Sequence, residues 1–401
     1  MQPVEIKPGI YWVGIVDWNL RDFHGYAQTQ HGTTYNAYLV IDDKVTLFDT
    51  VEQKYCEDFL CQIGQIIDPE KIDYIVVNHT EPDHGSSLPN VVHRVNPEKI
   101  LTSKMGKEFM VGRYHPENWS IETVSDGQSV SLGKRSVTFM ETRMLHWPDS
   151  MVSYIPEEKL LISQDAFGQN IASSERFDDW ISWEDLKQEM AQYFANIILP
   201  YSPKVKKTLE QIQNAGLEID TIAPDHGLIL QNNIQNAIGA YLEFAAQKPR
   251  EKAVIFYDTM WETTKKMAEA IGSGLSREGI SVKIYSLKKW HHSDVMSEIW
   301  DAGAIIAGSP THNNGIMPLV ADMLVYMKGL RPKNKLGFSF GSYGWSGEAH
   351  KHISNWLEEM GIELADDPHG VKHVPTHEQY QELAQKGAKI AQAIKQKVQN
   401  S

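Results

Sequence analysis

The chain has 401 residues, enough for two or three domains of ordinary size. Its composition, 41% hydrophobic and 22% charged residues, is that of a folded globular protein. A formal net charge of −14 argues against a general binder of nucleic acid or anionic membranes, and no apolar run reaches the ~20 residues that cross a bilayer.

The start of the chain and its cysteines indicate the compartment. The first residues lack the basic start and apolar core of a secretory signal. Cys56 and Cys61 are the only cysteines, too few for a four-thiolate metal site and unlike a disulfide framework. These features predict a reducing, cytoplasmic location.

Short apolar runs with turn residues between them fill most of the first half and predict strands. Two helical patterns lie among them, EDFLCQIGQII (57–67) and DLKQEMAQYFANII (185–198). This mixture predicts two sheets with helices outside. A further helical pattern (233–248) ends in a polar stretch before the β-rich run AVIFY, so we place a domain boundary near Pro249.

The predicted domains are therefore 1–249 and 250–401. The second half alternates four times between an apolar strand and a helical pattern, and it ends in a long helix from about His377. Repeated βα units of this length predict a doubly wound parallel sheet.

The stretch NHTEPDHG (78–85) directly follows the apolar run KIDYIVV and groups two histidines with two carboxylates. Three further histidine or aspartate residues also follow predicted strands. Loops at strand ends can converge on one site, so we predict that these residues do so. The seven candidate ligands are His79, Glu81, Asp83, His84, His146, Asp165 and His226.

Seven ligands fit two metal ions with one bridging carboxylate better than one tetrahedral zinc, which takes about four. Imidazole and carboxylate without thiolate suit iron, manganese or zinc, and the carboxylates favour redox-active iron. Taken singly, a histidine after a strand is more often a cap or a core hydrogen-bonder, and the carboxylates could be turn residues. The joint pattern indicates the metal site. Asp149 and Asp225 are interpreted as carboxylates of the surrounding loops.

The stretch from His79 to His84 is close to the HxHxDH loop of the metallo-β-lactamase fold, except that Glu81 replaces the second histidine. The HxExDH form resembles the flavodiiron proteins (A-type flavoproteins), especially their short rubredoxin:oxygen oxidoreductase class. The resemblance covers essentially the whole chain. It implies that His79, Glu81 and His146 hold one iron, that Asp83, His84 and His226 hold the other, and that Asp165 bridges them.

The stretch RDFHGY (21–26) also resembles this family. The resemblance implies that His24 and Tyr26 line the small-molecule pocket and donate protons or hydrogen bonds. The alternative is a polar loop packed by Phe23. In KKWHHSD (288–294), His291 and His292 are adjacent at a helix start, so we expect them to point apart as surface residues.

Three loops of the second half follow predicted strands, YDTMWETTKKMA (257–268), GSPTHNNG (308–315) and GSYGWSGE (341–348). Hydroxyls at a helix N-terminus suit a phosphate, and aromatic rings can stack on a flat ring system. In doubly wound sheets ligands bind beyond the carboxyl ends of strands, so the loops predict an FMN site, although singly each could be a turn. The candidates are Thr259, Met260, Trp261, Thr263, Thr264, Pro310, Thr311, His312, Asn313, Asn314, Gly315, Ser342, Tyr343, Gly344, Trp345 and Gly347.

The three loops resemble those of flavodoxin, in the flavodiiron variant. The implied fold class is α/β, with a metallo-β-lactamase-like αββα sandwich followed by a flavodoxin-like doubly wound sheet. The implied activity is reduction of O2 to water, of NO to N2O, or both, at a di-iron centre, with electrons delivered through FMN from rubredoxin or reduced deazaflavin.

The family also implies a head-to-tail homodimer, or a dimer of dimers, in which one subunit's flavin faces the other's irons. Two alternatives stay open. One is a zinc hydrolase of the lactamase fold with a flavodoxin module, and the other is a non-catalytic electron carrier.

Overall fold

The computed structural model describes residues 2–401, which form two compact units. The first contains the residues up to Phe23 together with Thr29–Tyr193 and Tyr201–Leu242. The second contains His24–Gln28, Phe194–Pro200 and Glu243–Ser401. Two short segments from within the first half therefore belong to the second unit, and the boundary near Pro249 stays a prediction. None of the helices in the described residues is both long and apolar enough to cross a membrane.

Two sheets form the first unit. The larger runs in the order Val4–Lys7, Ile10–Trp12, Tyr38–Val40, Thr46–Phe48, Tyr74–Val77, Lys99–Thr102 and Ile121–Thr123, and its last four strands are parallel. The smaller runs in the order Ser129–Ser131, Ser136–Glu141, Met151–Ile155, Leu160–Gln164 and Thr221–Pro224, and its last two strands are parallel. Shorter strands of this unit lie at Ile15–Asp17, Asp22–Phe23 and Thr33–Tyr35, while the short strand Ala27–Gln28 belongs to the second unit.

Alternating side chains sort the first unit into layers. Val76 packs towards the smaller sheet, whereas its neighbour Ile75 packs against helices on the other face, because successive strand residues point to opposite sides. On the outer face of the smaller sheet, Leu161 packs with Ile212 of a helix. The layers are thus helix, sheet, sheet and helix, as the sequence predicts. The helices are Cys56–Gly64, Pro82–Gly85, Leu88–Val95, Lys104–Tyr114, Trp183–Tyr193 and Ser202–Asn214, and a further helix, Ile234–Ala246, has its last residues from Glu243 in the second unit.

The second unit has one parallel sheet. Its order is Ser281–Ser286, Arg250–Tyr257, Ala302–Gly308 and Leu336–Tyr343, with Glu363–Leu364 and His369–Lys372 both beside Leu336–Tyr343. This 2-1-3-4-5 order is that of a flavodoxin-like doubly wound sheet and brings the carboxyl ends of the strands to one edge. The helices are Thr263–Arg277, His292–Ile299, Pro318–Leu330, Ala349–Glu359 and His377–Gln399.

A buried lysine lies at the opposite edge of this sheet. Lys335 is 2% exposed, and its Nζ donates to the carbonyl oxygen of Trp300 at 2.8 Å. Burial lowers the pKa of Lys335 to about 7, although the nearby carboxylate of Asp301 opposes the shift. The folded chain therefore releases this proton near neutral pH, while the unfolded chain keeps it to about pH 10.4.

We expect this lysine to make stability rise with pH. Below pH 7 both states hold the proton and the full cost of burying the charge is present; above pH 7 the folded state loses the proton first, so the cost falls. Between pH 7 and 9 the free energy of unfolding should rise by about 2 kcal/mol more in the natural chain than in Lys335→Met. Urea unfolding of both proteins at matched flavin content measures this difference, and equal pH slopes would contradict it.

Candidate metal centre and flavin cavity

The fold brings all seven predicted metal ligands to one place in the first unit. His79 follows the strand Tyr74–Val77, Asp165 follows Leu160–Gln164, and His226 lies just after Thr221–Pro224. The last two of these strands are parallel neighbours in the smaller sheet, so Asp165 and His226 lie at the same edge, and His79 reaches them from the end of a strand in the larger sheet. Asp83 and His84 lie in the short helix Pro82–Gly85 next to His79.

Four of the seven side chains form a first group. His79, Glu81, His146 and Asp165 each offer a ligand atom within 4.8 Å of the others. Nε2 of His146 lies 2.9 Å from Oδ2 of Asp165 and 3.1 Å from Oε2 of Glu81. Nε2 of His79 lies 3.2 Å from the same Glu81 oxygen and 3.3 Å from the same Asp165 oxygen. These atoms surround a single point, as the ligands of one ion would.

A second group consists of Asp83, His84 and His226. Nε2 of His84 lies 3.1 Å from Nε2 of His226 and 3.3 Å from Oδ2 of Asp83. The other oxygen of Asp165, Oδ1, lies 3.2 Å from Nε2 of His84 and 3.6 Å from Nε2 of His226. Asp165 therefore presents one oxygen to each group, which is the arrangement that a bridging carboxylate needs.

Hydrogen bonds at Nδ1 of two histidines determine that Nε2 is the ring nitrogen that faces the cluster. Nδ1 of His226 donates to the carbonyl oxygen of Thr34 at 2.6 Å, and Nδ1 of His79 faces Oδ2 of Asp149 at 3.3 Å. The backbone N–H and the hydroxyl of Thr80 each donate to that same Asp149 oxygen at 2.7 Å. Because carbonyl and carboxylate oxygens accept the Nδ1 proton, each Nε2 keeps a lone pair for a metal ion.

The electrostatics of the cluster fit cations. Burial opposes the charged form of Asp165, but hydrogen bonds from His146, His79 and His84 hold its pKa well below the usual range. Burial likewise opposes protonated His84, yet the carboxylates of Asp83, Asp225 and Asp165 raise its pKa to about 10. Buried carboxylates need such compensation, and two divalent ions would supply it in place of protons. The residues present therefore fit a di-metal centre.

Aromatic rings enclose the cluster, and no pattern in the sequence indicates that any of them would lie beside a metal ligand. The rings of Phe23, Tyr35 and Tyr193 lie against His226 with centroids 5.4, 5.8 and 5.8 Å away, and the Trp147 ring lies 5.3 Å from His79. They limit the access of water to these histidines. No spacing signal in the sequence links these residues, since each lies on a different element.

The second unit has a cavity of about 410 Å³ at the carboxyl ends of its strands. Within residues 2–401 the buried Thr259 Oγ1 has no hydrogen-bond partner, so this wall offers a hydroxyl to a ligand. Its neutral hydroxyls and aromatic rings fit a phosphate-bearing flavin. The lining residues are Thr259, Met260, Trp261, Thr263, Pro310, Thr311, Ser342, Tyr343, Gly344, Trp345, His373 and Val374.

Ten of the sixteen predicted flavin residues line this cavity, and six do not. His312 and Gly315 close a tight turn through two backbone hydrogen bonds of 3.0 and 2.9 Å, which turns that loop back on itself. Conversely, His373 and Val374 line the cavity although the sequence analysis missed them, because the preceding strand His369–Lys372 is short and weakly apolar. The six that do not line it are Thr264, His312, Asn313, Asn314, Gly315 and Gly347.

His24 and Tyr26 belong to the second unit, not to the unit that holds the metal cluster. The carbonyl oxygen of Tyr26 lies 2.8 Å from Nε2 of His292, and Nδ1 of His292 lies 2.6 Å from Oδ2 of Asp322. The expectation that His291 and His292 point apart is wrong, because their ring centroids are only 3.9 Å apart. His292 is therefore not only a surface residue, because its ring contacts the backbone of the loop 21–26 that contains His24 and Tyr26.

The two units match two known families. Residues 33–227 match the ODP family beta lactamase, and residues 255–387 match the flavodoxin family. The predicted fold class, a lactamase-like sandwich followed by a flavodoxin-like sheet, is thereby confirmed.

Relatives match over the whole chain. The rubredoxin-oxygen oxidoreductase of Megalodesulfovibrio gigas is 52% identical over 400 residues, covering 99% of this chain and 100% of the relative. The nitric oxide reductase of Moorella thermoacetica is 47% identical over 395 residues, covering 98% and 99%. The structure of the flavodiiron protein from Giardia intestinalis matches with a TM-score of 0.96 at 32% identity, covering 100% of this chain and 98% of that one. This chain, with FMN in its flavodoxin domain and a di-iron centre in its lactamase-like domain, belongs to the flavodiiron protein family.

Proposed function

We propose that the protein reduces O2 to water, NO to N2O, or both, at its di-iron centre, with electrons from rubredoxin passing through FMN. The position of Asp165, with one oxygen 2.9 Å from His146 and the other 3.2 Å from His84, carries this proposal. The names of the two relatives reported above support it, since one is an oxygen oxidoreductase and the other a nitric oxide reductase. Glu81, which replaces a lactamase histidine, disfavours the zinc hydrolase alternative.

The ligand roles are part of the proposal. His79, Glu81 and His146 would hold one iron; Asp83, His84 and His226 would hold the other; Asp165 would bridge. When bound, FMN can collect electrons one at a time, and the irons can bind and reduce the gas. Thr34 and Asp149 hold the rings of His226 and His79 in place, and the aromatic rings keep water from the cluster.

The reactions consume protons as well as electrons: four of each for O2 going to two waters, and two of each for two NO going to N2O and water. We propose His24 and Tyr26 as the groups that donate protons or hydrogen bonds to the gas. Tyr26→Phe and His24→Asn should then lower kcat while iron and flavin contents stay unchanged. Unchanged kcat in both variants would remove this role without affecting the ligand assignment.

The function is tested by composition and gas uptake together. The purified protein should contain about two irons and one FMN per chain and should consume O2, NO or both with chemically reduced rubredoxin. Reduced deazaflavin is the second donor to compare. Iron-replete, flavin-replete protein that consumes neither gas would overturn the proposal. Full uptake by protein that holds zinc alone would also overturn it.

We propose that the protein assembles as a head-to-tail homodimer, or a dimer of such dimers, in the cytoplasm. Three apolar residues on the wall of the flavin cavity are unusually exposed, Trp261 at 84%, Trp345 at 87% and Val374 at 65%. Exposed apolar groups of this size at a functional cavity support an interface there.

The cysteines bear on the compartment. Cys56 and Cys61 are both free thiols, which supports a reducing compartment.

Several lysines lie near Glu262 in the first of the three flavin loops (257–268), called the flavin loop below. This is notable in a chain of net charge −14. The pKa of Glu262 is lowered, first by a hydrogen bond from Lys265 and also by the charges of Lys266 and Lys288. Lys289 is exposed beside them. We propose that the rubredoxin donor docks here through an acidic face, since complementary charge guides encounter.

Removing two of these charges should weaken donor docking. Lys266→Gln with Lys289→Gln should raise the KM for reduced rubredoxin about fivefold at low salt and change it little at high salt. The rate with dithionite, a small chemical reductant, should stay the same. Lys206→Gln with Lys207→Gln makes the same charge change on a helix of the first unit. An equal rise in KM in this control pair would contradict docking at the flavin loop.

A further inference from the structure

Lys288 makes a contact with the flavin loop that the sequence analysis did not foresee. It follows the strand Ser281–Ser286, outside the three predicted flavin loops. Its Nζ donates to the carbonyl oxygen of Thr259 and lies 3.5 Å from Oδ1 of Asp258. The same Asp258 oxygen accepts the backbone N–H of Thr259 at 2.6 Å. The peptide groups on both sides of Thr259 are thus held by charged side chains.

The contact between Lys288 and the Thr259 carbonyl determines which backbone groups of the loop are directed away from Lys288. In a trans peptide the C=O and the next N–H point in opposite directions. Because the Thr259 carbonyl points to Lys288, the N–H of Met260 points in the opposite direction, away from Lys288. Thr259 and Met260 both line the cavity, and the buried Oγ1 of Thr259 has no hydrogen-bond partner within residues 2–401. The loop therefore offers donors suited to an anion.

Two lysines lie near this loop, and each has a carboxylate partner. Nζ of Lys265 lies 2.6 Å from Oε2 of Glu262, and Nζ of Lys288 lies 3.5 Å from Oδ1 of Asp258. The ammonium group of Lys288 also donates to the carbonyl oxygen of Thr259. The contact with the loop backbone, and not an unmatched charge, therefore distinguishes Lys288.

We propose that Lys288 is a positioning residue that orients the Thr259–Met260 peptide, so that the N–H of Met260 is held for the flavin phosphate and the site selects FMN over flavins without a phosphate. The inference rests on the proposed flavin site and places the phosphate at its first loop, where Thr259 and Thr263 line the cavity. Lys288 would hold in place one backbone donor of a cradle that consists of hydroxyl and backbone groups.

Flavin binding to protein stripped of its FMN tests the inference. The dissociation constants of FMN and of riboflavin are measured by flavin fluorescence quenching for the natural chain and for Lys288→Met. We expect FMN to bind about tenfold more weakly to Lys288→Met, while riboflavin affinity changes by less than about twofold. Lys288→Arg should recover most of the FMN affinity, and Lys265→Met should keep all of it.

A Thr259→Val variant separates this inference from the proposed site. If Thr259→Val loses FMN selectivity and Lys288→Met keeps it, the phosphate placement stands and the role of Lys288 is overturned. If both variants keep full FMN selectivity, the phosphate lies elsewhere and the proposed site fails too. If Lys288→Met weakens FMN and riboflavin equally, Lys288 only supports the fold and the inference is wrong.

Discussion

Asp165→Ala is expected to remove iron from both positions and to lower O2 and NO uptake at least about 100-fold, because even residues that only support a ligand cost 10–100-fold when lost. Oδ2 of Asp165 lies 2.9 Å from Nε2 of His146, and Oδ1 lies 3.2 Å from Nε2 of His84. Deleting the carboxylate removes a contact from each group at once. It also leaves four imidazoles facing one another with one buried anion fewer.

The measurements are iron per chain, the Mössbauer spectrum and gas uptake with reduced rubredoxin. FMN content and FMN reduction by the donor should stay normal, because the flavin cavity lies in the other unit. Glu189→Gln is the matched control: Glu189 is also a buried carboxylate of the first unit, but its Oε1 lies 2.8 Å from Nδ1 of His31 and not in the cluster. Asp165→Ala protein with two irons and full uptake would contradict the bridging role.

The sequence was informative about this site because each candidate ligand stands just after an apolar run. Parallel strands end at the same edge of their sheet, so the apolar pattern groups Asp165 with His226, which follow neighbouring parallel strands of the smaller sheet. His79 follows a strand of the larger sheet, and the motif from His79 to His84 is what links it to them. The supporting groups could not be found this way. Asp49, for example, accepts the backbone N–H of Asn78 at 2.7 Å, yet an aspartate after a strand is far more often a turn residue.

The fold could be predicted where the hydrophobic periods are regular. It could not be predicted where a short segment of the first half belongs to the second unit. The four βα repeats of the second half were enough to predict its parallel sheet. The stretch 185–198 reads as one helix, but in the structure the α-helix ends at Tyr193 and a π-helix, Phe194–Ile198, continues in the second unit. Apolar spacing is nearly the same in both helix types, so the pattern does not show where the chain passes from one unit to the other.

Electron transfer across a subunit boundary gives the second large prediction. In a head-to-tail dimer, the FMN of a subunit that lacks iron can still pass electrons to the irons of its partner. A subunit that lacks FMN can still use its own irons, because they receive electrons from the partner's FMN. Asp165→Ala serves as the iron-deficient chain. Gly344→Trp serves as the flavin-deficient chain: a Cβ added at Gly344 would meet no atom within 4 Å, so the backbone tolerates a side chain there, and an indole on this wall would take up space in the flavin cavity. Each variant alone should be inactive, and flavin and iron contents check both defects.

Co-expressing the two variants with different affinity tags allows the mixed dimer to be purified through both tags. It should recover about half of the natural activity, since one of its two flavin–iron pairs is intact across the symmetric interface. The matched control pairs a natural subunit with one that carries both substitutions. In a head-to-tail dimer the natural flavin then faces defective irons and the natural irons face a defective flavin, so this dimer should be inactive. Transfer within one chain reverses both results, leaving the first mixed dimer inactive and the second half active, and that reversal would refute the head-to-tail assembly.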